Sequence, residues 1–194
     1  EAAQLETSKV FAKECMRQAD MPTAEFVTFD HPDPARNYIR SREYVLLPDG
    51  KRVVYPFAGF KVETDAEGTK QLIWSSGSGP GGQTGSRTHR VKISPPEPMV
   101  IKADGLAAGK GVFVCSTTQE ALSAIERIMV REEFGRAAGR QVVIEKRLEG
   151  QELSILALVS GRTIVPLPPT QDHKAAFDND AGPEPGGMGA YCLA

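Results

Sequence analysis

Hydrophobic positions change period along the chain, and the changes mark its elements. In 8–19 (SKVFAKECMRQA), Val10, Phe11, Cys15 and Ala19 recur at helical spacing behind Ser8, whose hydroxyl suits a helix cap, so an amphipathic helix is predicted. Met21 and Pro22 stop it. AEFVTF (24–29) reads as a strand, and DPARNYIRS (33–41) as a second helix, because proline is tolerated in a first turn whose amides lack helical partners. The opening is therefore α-β-α.

Farther along, MVIKA (99–103) and VFVC (112–115) read as strands on either side of a glycine loop. TTQEALSAIERIMV (117–130) combines a Thr117 cap, a glutamate at Glu120, and Ala121, Leu122, Ile125, Ile128 and Met129 along one face, which together specify a helix. QVVIE (141–145) is a short buried strand by pattern, and ELSILALVS and RTIVPLP meet at Ser160-Gly161 as a predicted hairpin. This mixture belongs to the α/β (α+β) class.

Between these regions, 43–94 keeps neither period for long. It holds a candidate hairpin in EYVLLPDGKRVVYPF (43–57), the single Trp74, and SSGSGPGGQTGSRT (75–88), whose glycine and serine density is that of a flexible linker. The tract is expected to be mostly disordered. The chain thus divides into 1–42, 43–94 and 95–194.

Composition narrows the function. Of 194 residues, 40% are apolar and 25% charged, enough for one ordinary domain or two small subdomains around a real core. Lysine and arginine total 23 against 25 acids, and a net charge of -2 supplies no field to attract nucleic acid or an anionic membrane. An anionic ligand must be held by local features. Cys15, Cys115 and Cys192 form neither a CxxC pair nor a disulfide framework, which predicts a reducing, cytoplasmic setting. No run approaches the roughly 18 apolar residues of a membrane helix, and EAAQLETSKV lacks the basic start of a signal peptide. The first methionine is Met16, inside a predicted helix, so the chain is expected to be a fragment.

Candidate chemistry concentrates in KADGLAAGKG (102–111). Gly105, Gly109 and Gly111 let backbone amides approach an anion closely, and Lys102 and Lys110 add mobile positive charge, a combination suited to a polyphosphate such as ATP. It is not a Walker A loop. Only Leu106, Ala107 and Ala108 separate Gly105 from Gly109, and Gly111 stands where a magnesium-binding serine or threonine would follow the lysine. Strand-loop-strand context offers no helix N-terminus to the phosphates, so the loop is expected to fold over the nucleotide as a flap. On these residues alone, a flexible turn with a solvated lysine accounts for the glycines equally well.

Three segments carry a resemblance to a known family. VIKADGLAAGKGV (100–112) is similar almost word for word to the phosphate loop of phosphoribosylamine–glycine ligases, members of the ATP-grasp superfamily. VVIEKRLEGQELS (142–154) resembles their hinge segment, and QDHK (171–174) with GPEPGGMGAY (182–191) resembles their QDHKR and GPNTGGMGAY, in the same order. SKVFAKECMRQADMPTAEF (8–26) resembles the segment that precedes the loop. The resemblance implies a partial ATP-grasp fold with a small β-rich nucleotide-flap subdomain. It also implies that 43–94 is an insertion, read either as a surface loop, since closure cost rises slowly with length, or as translated intron sequence.

The resemblance further implies an activity. ATP would phosphorylate glycine, and the amine of 5-phosphoribosylamine would attack the glycyl phosphate, giving glycinamide ribonucleotide, ADP and phosphate in purine biosynthesis. Carried over by motif, Lys102 would contact the α and β phosphates, with Gly105, Leu106, Ala107, Ala108, Gly109, Lys110 and Gly111 as the flap. Backbone groups around Glu145 and Leu148 would read adenine and Glu152 the ribose hydroxyls. Asp172 and Lys174, with Gly186, Gly187, Met188 and Gly189, would face the substrates. Without the motif, Lys102, Glu145 and Glu152 read as solvated charges.

The magnesium (or manganese) ligands of the family lie past Ala194, and in some eukaryotes the ligase is fused to other purine-pathway domains. Departures fall mainly on the substrate side: Ala175 and Ala176 follow Lys174 where an arginine is usual, and Glu184 and Pro185 replace Asn-Thr. Lys146 and Arg147 replace an acid and an aromatic in the hinge. A non-catalytic nucleotide-binding remnant and another ATP-grasp carboxylate–amine ligase are the alternatives.

Overall fold

The structure, a computed structural model, describes residues 2–47, 49–57, 60–76, 87–94, 96–107, 110–173, 176–177 and 189–192. It begins with helices α1 (Ala2–Thr7) and α2 (Lys9–Gln18). Ser8 between them is extended, and its hydroxyl accepts the Phe11 N–H at 3.0 Å, so the cap operates as its chemistry predicts. Strand β1 (Phe26–Phe29) and helix α3 (Pro32–Ser41) complete the α-β-α opening.

The candidate hairpin in 43–57 forms, strands β2 (Tyr44–Leu46) and β3 (Arg52–Val54) pairing antiparallel, but the linker expectation for 43–94 is corrected over its described part: β4 (Lys61–Thr64), β5 (Lys70–Ser76) and β6 (Arg87–Lys92) form an antiparallel meander. Gly50 and Gly68, each at φ +82°, supply the left-handed residues that two of the turns require. Val45, Phe57, Leu72 and Ile93 are buried together. Trp74 meets Phe60 edge-on at 5.7 Å and stacks on His89 at 5.0 Å.

The strands are short and pair with their neighbours in sequence, Leu46 with Arg52 and Thr64 with Lys70, so each is too brief to dominate the composition of the tract. The glycine-rich run 77–86 itself lies outside the described residues. The ends of the tract meet, Ser94 N–H donating to Tyr44 O at 2.8 Å.

Strands β7 (Met99–Ala103), β8 (Val112–Cys115) and β9 (Val142–Lys146) join β1 in a four-stranded antiparallel sheet of order β1-β9-β7-β8. Alternation puts Met99, Ile101, Ala103, Val142 and Ile144 on one face. They pack with Ala35 and Ile39 of α3 and with Ala121, Ala124 and Ile125 of α4 (Thr118–Ile125). The capping box of Thr117 and Glu120 forms, and the predicted helix runs on through Glu126–Val130 as a wider π-helical turn that buries Ile128.

By contact density the chain divides into two units: Glu1–Ala107 with Gly111–Arg147, and Ala108–Lys110 with Leu148–Ala194. This differs from a division at residue 95, because β1 near the start pairs with β9 far along the chain. The second unit contains the antiparallel pairs β10 (Ala157–Ser160) with β11 (Thr163–Pro166) and β12 (Thr170–His173) with β13 (Gly189–Cys192). Leu158, Val159, Ile164 and Val165 of its hairpin are all exposed.

Glu43 fastens the 43–94 module to the main sheet's helix layer. Its carboxylate is 6% exposed, and Oε1 accepts from Lys70 Nζ of β5 at 2.9 Å and from Thr118 Oγ1 of α4 at 2.7 Å. Replacing Glu43 by alanine strips the partner from both donors, and we expect a loss of about 2–3 kcal/mol in urea unfolding. A change within error would show that the module does not depend on this bridge.

Candidate functional site

The glycine loop leaves β7 at Ala103 and returns at β8. Asp104, its first residue, is bound to the start of α2: its carboxylate accepts from Ser8 Oγ at 2.9 and 3.2 Å and from Val10 N–H at 2.7 Å. The backbone adds Lys9 N–H to Asp104 O at 3.2 Å. Asp104 thereby satisfies amide groups that a helix start leaves open and fixes the helix against the loop.

Two of the glycines are demanded by packing. A Cβ on Gly105 would lie 2.9 Å from Ala138 Cα in the 3-10 turn Ala138–Arg140, and one on Gly111 would lie 2.6 Å from Ala107 Cβ and 2.9 Å from Ala103 Cβ. Leu106 is exposed, Ala107 buried and Lys110 exposed; Ala108 and Gly109 lie outside the described residues.

On the sheet face away from the core, the β7–β9 register sets Val100 opposite Glu145 and Lys102 opposite Val143, making Lys102 and Glu145 diagonal neighbours. Lys102 Nζ pairs with Glu145 Oε1, and Lys13 Nζ of α2 lies 2.6 Å from Oε2. Glu145 is 6% exposed, so the reading of a solvated strand-end charge is corrected. Lys102, likewise, is ion-paired rather than simply solvated.

The Lys13 ammonium carries three N–H donors and bridges two acceptors, Thr23 Oγ1 at 2.7 Å and Glu145 Oε2 at 2.6 Å. Burial pushes the Glu145 carboxyl up, but pairing with Lys102 and Lys13 outweighs it and holds the group below the usual carboxylate range.

A third lysine completes the cluster. Lys9 Nζ donates to Gly105 O at 3.1 Å. Burial is the main reason that its ammonium is held below the usual lysine range, and Lys102 acts in the same direction against Asp104 and Glu6. Lys9, Lys13 and Asp104 were not singled out in the sequence. The available signal was the spacing of Lys9 and Lys13, one helical turn apart directly after a cap.

In the hinge, Lys146 N–H is donated to Glu25 O at 2.9 Å and Arg147 N–H to Pro98 O at 3.1 Å. Leu148 is 70% exposed and, like Glu152, belongs to the second unit. That unit brings two motifs together, pairing Asp172 with Ala190 and His173 with Gly189. His173 stacks on Tyr191 at 5.7 Å, and Gln171 Oε1 accepts from Tyr191 OH. Lys174, Gly186, Gly187 and Met188 lie outside the described residues. Among the described residues no three His, Cys, Asp or Glu side chains converge as a metal site. No helix among them is long and apolar enough to cross a membrane.

An antiparallel sheet with a strand-loop-strand glycine segment beside clustered lysines is the arrangement of an ATP-grasp protein, the class that the family model names. A crystal structure of phosphoribosylamine–glycine ligase from Thermotoga maritima superposes on 97% of this chain with a TM-score of 0.62 at 30% identity, using 34% of its own length. The family model for the phosphoribosylglycinamide synthetase ATP-grasp (A) domain matches residues 86–194, more than half of the chain. The chain belongs to that family.

Among curated relatives, phosphoribosylamine–glycine ligase of Rhodopirellula baltica is 45% identical over 193 residues, which is 100% of this chain and 33% of the relative. The human trifunctional purine biosynthetic protein adenosine-3 is 37% identical over 194 residues, 100% of this chain and 14% of that protein. The chain thus spans about a third or less of the relatives it matches, and the matched span runs through 43–94. Eukaryotic relatives are bifunctional or trifunctional proteins.

Two outcomes follow from the geometry. Because pairing lowers the Glu145 carboxyl in the folded state, its contribution to stability is complete above the unfolded value near pH ~4.3 and is lost as pH falls through the lower folded value. Thermal midpoints followed from about pH 6 to about pH 3 should therefore fall more steeply for the unaltered protein than for Glu145→Gln; parallel curves would rule the pairing out. Gly111→Ala, with no room for its methyl, should cost about 1–3 kcal/mol by the same unfolding measurement.

Proposed function

We propose that this chain is the nucleotide-binding part of a phosphoribosylamine–glycine ligase. The observation that carries this reading is the seating of Lys9 Nζ on the Gly105 carbonyl at 3.1 Å, at the root of the glycine loop whose leading strand carries Lys102. Two lysines at the root of one loop supply positive charge that attracts a polyphosphate. Glycine packing holds the loop's ends close to the sheet, so its backbone amides can approach the same anion.

In the proposed reaction a glycine carboxylate oxygen attacks the γ-phosphorus of ATP, ADP leaves, and the amine of 5-phosphoribosylamine displaces phosphate from the resulting acyl phosphate. Lys102 and Lys9 would neutralise charge on the phosphates, and Leu106, Lys110 and their neighbours would cover them. Backbone groups at Glu145 and Leu148 would meet adenine, and Glu152 the ribose. Since the Lys146 and Arg147 amides are engaged within the sheet, base recognition would rest on groups to either side of them. Asp172, Lys174 and the segment from Gly186 to Gly189 would face glycine and the ribose phosphate. A divalent cation would shield the phosphates when bound. A cytoplasmic setting fits Cys15, Cys115 and Cys192, none of which is disulfide-bonded.

The test uses the full-length protein that contains this chain. ADP should form only when glycine and 5-phosphoribosylamine are both present, and Lys102→Met should lower kcat/KM for ATP by about 100-fold or more. ADP release that ignores glycine would refute the substrate assignment.

A further inference from the structure

We infer that Lys13 is a positioning residue for the nucleotide, holding the Glu145 carboxylate so that Lys102 can give its charge to a phosphate. The inference rests on the nucleotide reading proposed above and adds a role for a residue outside the glycine loop.

Glu145 is 6% exposed, and its two oxygens face different cations: Oε1 meets Lys102 and Oε2 meets Lys13 at 2.6 Å. A polyphosphate that engages Lys102 competes with Glu145 for the same ammonium. With Lys102 as its one counter-charge, Glu145 would then be a buried carboxylate without compensation, and that penalty would be subtracted from nucleotide affinity. Lys13 removes the penalty, because it stays on Glu145 whatever Lys102 does.

The two lysines are built differently for these parts. Lys13 has a side-chain exposure of 14%; its ammonium is anchored on Thr23 Oγ1 at 2.7 Å and lies 5.6 Å from the Phe26 ring centre. Lys102 is more open, at 27%. Glu145 Oε2, at 2.6 Å from Lys13 Nζ, keeps this charge-assisted contact when Lys102 turns to an anion, so the buried carboxylate is never left without a cation. Lys13 therefore tunes affinity through Glu145 and need not touch the nucleotide.

The test measures MgATP binding by calorimetry on the full-length protein carrying Lys13→Met, Glu145→Gln, both together, and Lys102→Met. Lys13→Met should weaken binding at least about tenfold. The double variant should bind as Glu145→Gln alone does, because with Glu145 neutral no buried charge is left unpaired. That rescue is what a merely structural lysine would not show, and it is readable even if Lys13→Met alone does not fold. Unchanged affinity in Lys13→Met, or a double variant weakened relative to Glu145→Gln, overturns the positioning role. Retained affinity in Lys102→Met overturns it together with the nucleotide reading, whereas loss there alongside an unaffected Lys13→Met overturns the positioning role alone.

Discussion

A carboxylate closed off from water between two ammonium groups ties together most of what surrounds the candidate site. Glu145 can meet Lys102 because β7 and β9 pair in one register, and it can meet Lys13 because α2 lies over that face of the sheet. A slip of one residue would turn Glu145 into the apolar layer occupied by Ile101 and Ile144. The position of α2 depends in turn on Asp104, whose carboxylate holds Ser8 and Val10. Loop, helix and sheet are thus coupled through a few charges, and the apolar layer beneath supplies the rigidity that keeps them at fixed spacing.

Glu43 solves a similar problem elsewhere. It is a second buried carboxylate, satisfied by Lys70 from the meander and Thr118 from α4, and it connects a module with its own small core to the layer of helices. Because Tyr44 and Ser94 meet at the base, the main sheet accepts the module without separating β1 from β7 and β9. The relatives' matched span includes this tract, and its described residues are organised by ordinary strand alternation.

The departures from the family's pattern fall unevenly on this architecture. Lys146 and Arg147 replace an acid and an aromatic at a point where their amides are already used within the sheet, so the backbone path of the hinge is preserved. Chain division by contact falls directly after Arg147, inside the segment that resembles the hinge. The substrate motifs meet across β12 and β13, two short strands in a unit whose hairpin leaves its apolar side chains in water.

The sequence by itself determined the local elements whose signals are short-range. The Ser8 and Thr117 caps, the stripe on α4, the strands around the glycine loop and the hairpin at Ser160-Gly161 all rest on neighbours within about one helical turn or one β-turn. Motif likeness added the family and Lys102. Only the tertiary structure decided that Lys61–Thr64, Lys70–Ser76 and Arg87–Lys92 pair as a meander, that Gly105 and Gly111 are required by Ala138, Ala103 and Ala107, and that Glu145 is buried between lysines. Lys13 and Glu145 lie on distant segments, and neither residue type announces its partner. Their pairing follows from sheet register and helix placement, which are set by burial of the whole apolar layer and not by any local pattern.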